Sequence, residues 1–117
     1  MNGLCQQFAS EADVHEFCEK AVATEVGVAC VNPIYVALTA KLLAGHQIEI
    51  SGNIGFPFGS HLTEVKALET EFAVRDGATQ IDMVMNIGRL KSKNYVAVLK
   101  DISDVKRAIG LTPLKVI

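Results

Sequence analysis

The sequence predicts an α/β protein whose parallel sheet of four to five strands carries all its helices on one face. Three observations lead there. Short apolar runs alternate strictly with amphipathic helical stretches, the signature of repeated βαβ units. No linker, low-complexity tract or charge run divides the 117 residues, so positions 1–117 read as a single domain. Crossovers between parallel strands are right-handed, so strands laid side by side in chain order place every helix on the same side. The opposite face is then bare, and a bare face is stable only if the sheet curls or docks on something.

The elements follow in order. "SEADVHEFCEKAVATE" opens with Ser10 as N-cap and with Glu11 and Asp13 in the first turn, where the helix dipole favours acids. Val14, Phe17, Cys18 and Ala21 recur at helical spacing and form its apolar face. Beyond Gly27, "GVACVN" reads as a buried strand, and Pro33 suits the first turn of a helix that stops near Gly45. "QIEISGNIGFPFG" is a strand entering a Gly/Pro loop. Gly52, Gly55 and Gly59 fit no phosphate-loop spacing, and a tight strand-to-helix connection explains them better. "SHLTEVKALETEFAVRDGA" is the next helix. Val65, Leu68, Phe72 and Ala73 form its expected core stripe, Lys66 is expected in solvent, and Gly77 stops it. "TQIDMVMNI" is a strand, "SKNYVAVLKDISDVKRAIG" a helix capped by Ser92, and "LTPLKVI" begins a further strand.

Composition narrows the function classes. The chain is 50% hydrophobic and 21% charged, which suits a packed core rather than disorder. A net charge of −2 without a basic patch argues against nucleic acid and anionic membrane as partners. No apolar run reaches the ~20 residues that span a bilayer. Cys5, Cys18 and Cys30 contain no CxxC, and with the three histidines they make no zinc spacing, so reduced thiols in a cytoplasmic protein and no metal are expected.

One residue stands out. Asp82 lies in the middle of an apolar strand, and burying a carboxylate costs several kcal/mol unless it is paired. Alternation turns Ile81 and Met83 toward the helices and Asp82, Val84 and Asn86 toward the other face. Two readings stay open for Asp82: a functional carboxylate on the inner face, or a structural one satisfied by Lys115 or backbone amides. "QIEISGN" repeats the split, with Glu49, Ser51 and Asn53 on the polar side.

Together, "ACVNPIYV", "IGFPFGSHLTEVKALE", "GATQIDMVMNIGRLKS" and "LKVI", in that order, resemble the deoxyribose-phosphate aldolase family, class I aldolases built on a (β/α)₈ barrel. Such a barrel needs ~250 residues, or 200 at the low end. The resemblance therefore implies the first half of one, a half (β/α)₈ TIM barrel, and the apolar strand "LKVI", an exposed edge in a monomer, predicts that dimerisation completes it. It further implies Schiff-base aldol cleavage of 2-deoxyribose 5-phosphate, with no cofactor. Asp82 matches the family aspartate that relays protons, and Cys30 matches a position near the substrate pocket. Asn32 and Asn86 are the polar neighbours expected there. The family's Schiff-base lysine belongs to a later K-T-S-T-G strand and its phosphate loops lie later still, so the chain alone is expected to be inactive or weak. Lys115, the only strand lysine, is a weak candidate for the nucleophile. Two positions depart from the family pattern: Phe58 stands where a polar or small residue is usual, and "NGLCQQF" replaces an opening D-H-T-x-L strand. Expected partners are a second copy, strand-swapped through Leu114–Ile117, and a small phosphorylated sugar. The alternative function is a non-catalytic, self-associating half barrel or a small-molecule-binding module.

Overall fold

The computed structural model describes residues 2–117. The chain runs through β1 (Asn2–Leu4), α1 (Glu11–Ala23), β2 (Val28–Val31), a 3₁₀ turn at Pro33–Tyr35, α2 (Val36–Leu42), β3 (Glu49–Ile54), α3 (Thr63–Arg75), β4 (Gln80–Met83), α4 (Ile87–Lys91), α5 (Tyr95–Ile109) and β5 (Leu114–Val116). The five strands form one parallel sheet in chain order. Ala29, Val31, Ile50, Ile54, Ile81 and Met83 face a single core, which Val14 and Cys18 of α1, Val36 of α2, Ala73 of α3 and Val105 and Ile109 of α5 complete. The one-sided layering is as the sequence predicts.

Local chemistry sets the element boundaries. Ser10 and Asp13 form a reciprocal capping box: Ser10 N–H donates to Asp13 Oδ2 at 2.8 Å, and Asp13 N–H donates to Ser10 Oγ at 3.3 Å. That hydrogen bond from Ser10 lowers the Asp13 pKa. Thr79 joins β4 to β3 by taking the Ile50 N–H on its hydroxyl at 2.8 Å. Gly52 allows α3 close to the sheet, since a Cβ there would sit 3.3 Å from the Ala73 Cβ. Gly59 has φ +68, and a Cβ on it would lie 2.1 Å from the Met85 carbonyl oxygen, so the β3–α3 loop rests on the backbone that follows β4.

The structure corrects several expectations. β1 does form, although "NGLCQQF" departs from the family's opening strand. The last long helix is capped by Asn94, whose side chain accepts the Ala97 N–H at 3.2 Å. Ser92 instead closes the short helix α4, which the sequence reading did not separate. The strand after Thr79 ends at Met83, and Asn86 caps α4 by accepting the Arg89 N–H at 3.1 Å.

The largest correction concerns α3. Val65, Leu68 and Phe72 of the expected core stripe are 46%, 50% and 46% exposed, while Lys66, Thr70 and Ala73 are buried. Lys66, expected in solvent, has no exposed surface. Its ammonium donates to Asp101 Oδ2 of α5 at 2.6 Å and to the Val84 carbonyl at 2.9 Å. Thr63 donates to the other Asp101 oxygen at 3.0 Å, and the Thr70 hydroxyl returns to the Lys66 carbonyl at 2.7 Å. A paired, hydrogen-bonded lysine can occupy an interior that an unpaired one cannot.

Removing one partner of such a pair leaves an uncompensated buried charge, which costs about 3–5 kcal/mol. Lys66→Met is therefore expected to lower unfolding free energy in urea by about that amount, and adding Asp101→Leu to recover much of it. Equal stability of Lys66→Met and wild type would show that the pair does not hold α3 to α5.

Candidate functional site

The face opposite the helices is polar and largely buried. Alternation along the strands brings Cys30 of β2, Ser51 and Asn53 of β3, Asp82 of β4 and Lys115 of β5 onto it. Register aligns Asn53 with Asp82 and Asp82 with Lys115 across neighbouring strands. Cys30, Ser51, Asn53 and Asp82 are all at most 6% exposed. Four of these five side chains are thus enclosed, while Lys115 stays half exposed.

Asp82 is the centre of this row. Its Oδ2 lies 3.2 Å from the Lys115 ammonium and 3.7 Å from Cys30 Sγ. Its Oδ1 is buried with no hydrogen-bond partner, as is Ser51 Oγ. A buried carboxylate oxygen without a donor is costly. One Asp82 oxygen is therefore fixed by a cation while the other is enclosed without a donor. That arrangement suits a proton acceptor held in place from one side. Lys115 keeps half of its side-chain surface exposed, and an ammonium engaged by a carboxylate has no lone pair with which to attack a carbonyl.

Above this row, the chain segments leaving β1, β2 and β3 surround a pocket of about 490 Å³, with Cys5, Phe8, Asn32, Phe56, Pro57 and Glu69 among its lining. Asn32 holds the pocket wall by donating to the Gln6 carbonyl at 3.2 Å. Glu69 is half-buried, and desolvation raises its pKa, against an opposing hydrogen bond from the Gly55 backbone and the nearby His61. Of the sequence-identified residues, the structure brings Cys30, Asp82 and Lys115 together, sets Asn32 on the pocket and uses the Asn86 carboxamide as a helix cap.

Cys5 and Glu69 were not singled out from sequence, and Asn53 was placed on the polar side of its strand without a role. Cys5 lies where the opening strand departs from the family pattern, and only the register that sets Gly3 opposite Cys30 brings it to the inner face. Asn53 Nδ2 donates to Cys5 Sγ at 2.8 Å, and Cys30 Sγ donates to Asn53 Oδ1 at 2.9 Å. The Cys30 hydrogen bond, helped by Asn53, brings the Cys5 pKa down to about 7 against the opposing effects of burial and Asp82. Cys30 is pushed up, by its hydrogen bond to Cys5 and by burial. Among the described residues no group of His, Cys, Asp and Glu could hold a metal ion, and no helix is long and apolar enough to cross a membrane.

No protein-family model matches the chain. Curated relatives do. Deoxyribose-phosphate aldolase 1 of Mesoplasma florum is 41% identical over 114 residues, 97% of this chain and 52% of that protein. Deoxyribose-phosphate aldolase of Clostridium perfringens is 45% identical over 97 residues, 83% of this chain and 43% of that protein. A solved Coccidioides immitis structure assigned as a deoxyribose-phosphate aldolase superposes with a TM-score of 0.96 at 32% identity, covering 98% of this chain and 46% of that one. The chain spans about half the length of the curated relatives it matches.

The thiol geometry makes a direct prediction. Iodoacetamide should alkylate Cys5 at a rate that climbs roughly tenfold per pH unit and levels above about 7, because the thiolate is the nucleophile. Cys18, buried in the core with its pKa raised by desolvation, should lag throughout. Peptide mass spectrometry across a pH series checks this, and a Cys5 profile still rising at pH 9 would contradict the hydrogen-bonded thiolate.

Proposed function

Because the chain belongs to the deoxyribose-phosphate aldolase family, as the N-terminal half of its (β/α)₈ barrel, we propose that it supplies the proton-relay side of a class I aldolase site acting on 2-deoxyribose 5-phosphate. The observation that carries this reading is Asp82, buried on the inner face, braced by Lys115 through one oxygen and unpartnered on the other. In this proposal the Asp82 carboxylate is the group that accepts the proton. Cys30 and Asn32 are the nearby pocket residues in this reading, and Asn86 contributes by shaping the turn after β4. A cytoplasmic setting, in which the three thiols stay reduced, fits it.

The 117 residues by themselves are an inefficient aldolase in this proposal. Schiff-base chemistry needs an amine with a free electron pair in the pocket. Lys66 is locked to Asp101 and Val84 behind the sheet, and Lys115 is engaged by Asp82. The family's nucleophilic lysine and phosphate loops belong to the complementary half. Borohydride trapping with acetaldehyde or the sugar phosphate should leave every lysine of the 117-residue chain unmodified. When the chain is joined to a complementary C-terminal half from a relative, cleavage of 2-deoxyribose 5-phosphate should appear. Asp82→Asn should then lower turnover by about 10²–10⁴-fold, the usual worth of a positioned acid–base group. A lysine adduct on the chain alone, or an Asp82→Asn barrel of full activity, would overturn the assignment.

A second reading rests on the sheet edge. β5 pairs only with β4, and Ile117 continues that pairing by accepting the Met85 N–H at 2.9 Å while remaining 46% exposed. An apolar edge of this kind favours pairing with another chain. The 117-residue chain is expected to form a homodimer through Leu114–Ile117, with a light-scattering mass of two chains at micromolar concentration. A mass of one chain would exclude it.

A further inference from the structure

We propose that Cys5 and Cys30 form a peroxide-reactive dithiol, in which Cys5 is the thiol attacked by oxidant and Cys30 the thiol that resolves it into an intramolecular disulfide. This goes beyond the aldolase reading and does not depend on it.

The geometry comes from strand register. Gly3 of β1 lies opposite Cys30 of β2, and Cys5, two residues on, projects to the same inner face. The two sulfur atoms are 3.9 Å apart. An S–S bond is ~2.05 Å, so the sulfurs must approach by roughly 2 Å. Gly3 places no side chain between them, and the three-residue strand that carries it is an exposed edge with only β2 as neighbour. A small shift of that strand end costs few contacts.

The two thiols are not equivalent. A single carboxamide, Asn53, touches both: it donates to Cys5 Sγ at 2.8 Å and accepts from Cys30 at 2.9 Å. The contact between the two thiols, helped by Asn53 donation, favours the thiolate at Cys5, while that same contact and burial keep the proton on Cys30. The Cys5 pKa of about 7 leaves a large thiolate fraction at neutral pH, where an ordinary thiol has little. Exposure divides the roles in the same direction. Cys5 is partly exposed on the rim of the 490 Å³ pocket, which admits a small oxidant. Cys30 is only 6% exposed.

The chemistry balances with a hydroperoxide as oxidant. The Cys5 thiolate attacks the terminal peroxide oxygen, the O–O bond breaks, and the leaving oxygen takes a proton to depart as water or an alcohol. Cys5 is now a sulfenic acid. The Cys30 sulfur attacks the Cys5 sulfur, an S–S bond replaces the S–O bond, and the hydroxide leaves as water with the Cys30 proton. One peroxide is reduced and two thiols are oxidised. A dithiol reductant reverses the change by exchange. In the disulfide, Cys30 has no proton to offer Asn53 Oδ1 or the nearby Asp82 carboxylate, so oxidation alters the hydrogen bonding of the inner face while tying β1 to β2.

The test is hydrogen peroxide, near stoichiometric, added to the folded wild-type chain at neutral pH, followed by alkylation and non-reducing peptide mass spectrometry. The expected product is a Cys5–Cys30 linked peptide within one chain, with Cys18 alkylated as a free thiol and the link reversed by dithiothreitol. Cys30→Ser, with its fold checked by circular dichroism, should accumulate a sulfenic acid on Cys5 that dimedone captures. Cys5→Ser should slow peroxide consumption at least tenfold. Dimedone labelling of Cys30 rather than Cys5, links found only between chains, or oxidation of Cys18 as fast as Cys5 would each overturn the proposal.

Discussion

The constraint on which this structure depends is the handedness of the crossover. Parallel strands in unbroken chain order, joined by right-handed connections, leave no freedom about where the helices go. One side of the sheet receives the aliphatic side chains of β2, β3 and β4 and the helices that cover them. The other receives whatever alternates with them, and here that set is Cys30, Ser51, Asn53, Asp82 and Lys115. Chemistry collects on the inner face because apolar residues are committed to the outer one.

Most polar groups on that inner face are tolerable because they meet one another, Ser51 Oγ and one Asp82 oxygen excepted. The row Cys5, Asn53, Cys30, Asp82, Lys115 is linked by thiol, amide and ionic contacts across the strands. A second polar centre sits on the helix side, where Lys66 of α3 joins Asp101 of α5 and the carbonyl of Val84. Val84 is two residues beyond Asp82, so the strand that presents the carboxylate is clamped from behind by a buried cation. The two networks are separate in chemistry but meet along one stretch of chain, Asp82 within β4 and Val84 just beyond its end.

Much of this was legible in the residues. Ser10 followed by Glu11 and Asp13 marks a helix start, glycines at 45 and 77 mark helix ends, and the period of two through Ile81, Asp82 and Met83 sorts inner from outer face. What escaped was non-local. The face of α3 was misjudged because periodicity weighs hydrophobicity alone, and it cannot foresee that Asp101, 35 positions away, will neutralise Lys66. Ser92 and Asn94 are both good caps, and only the short helix α4 decides that Ser92 belongs to its end. Cys5 carried no motif, and its importance arises from Asn53 and Cys30, both on other strands.

The seating of Gly59 on the Met85 carbonyl has a mechanical corollary. Two rim loops in such contact have no slack between them, so neither can be remodelled alone. Lengthening the loop after β3 to accept a bulkier ligand would push on the backbone that leaves β4 and tilt the acidic strand with it. Engineered variation at this rim should therefore succeed in matched pairs of changes, one on each side of that contact, and fail when either side is altered singly.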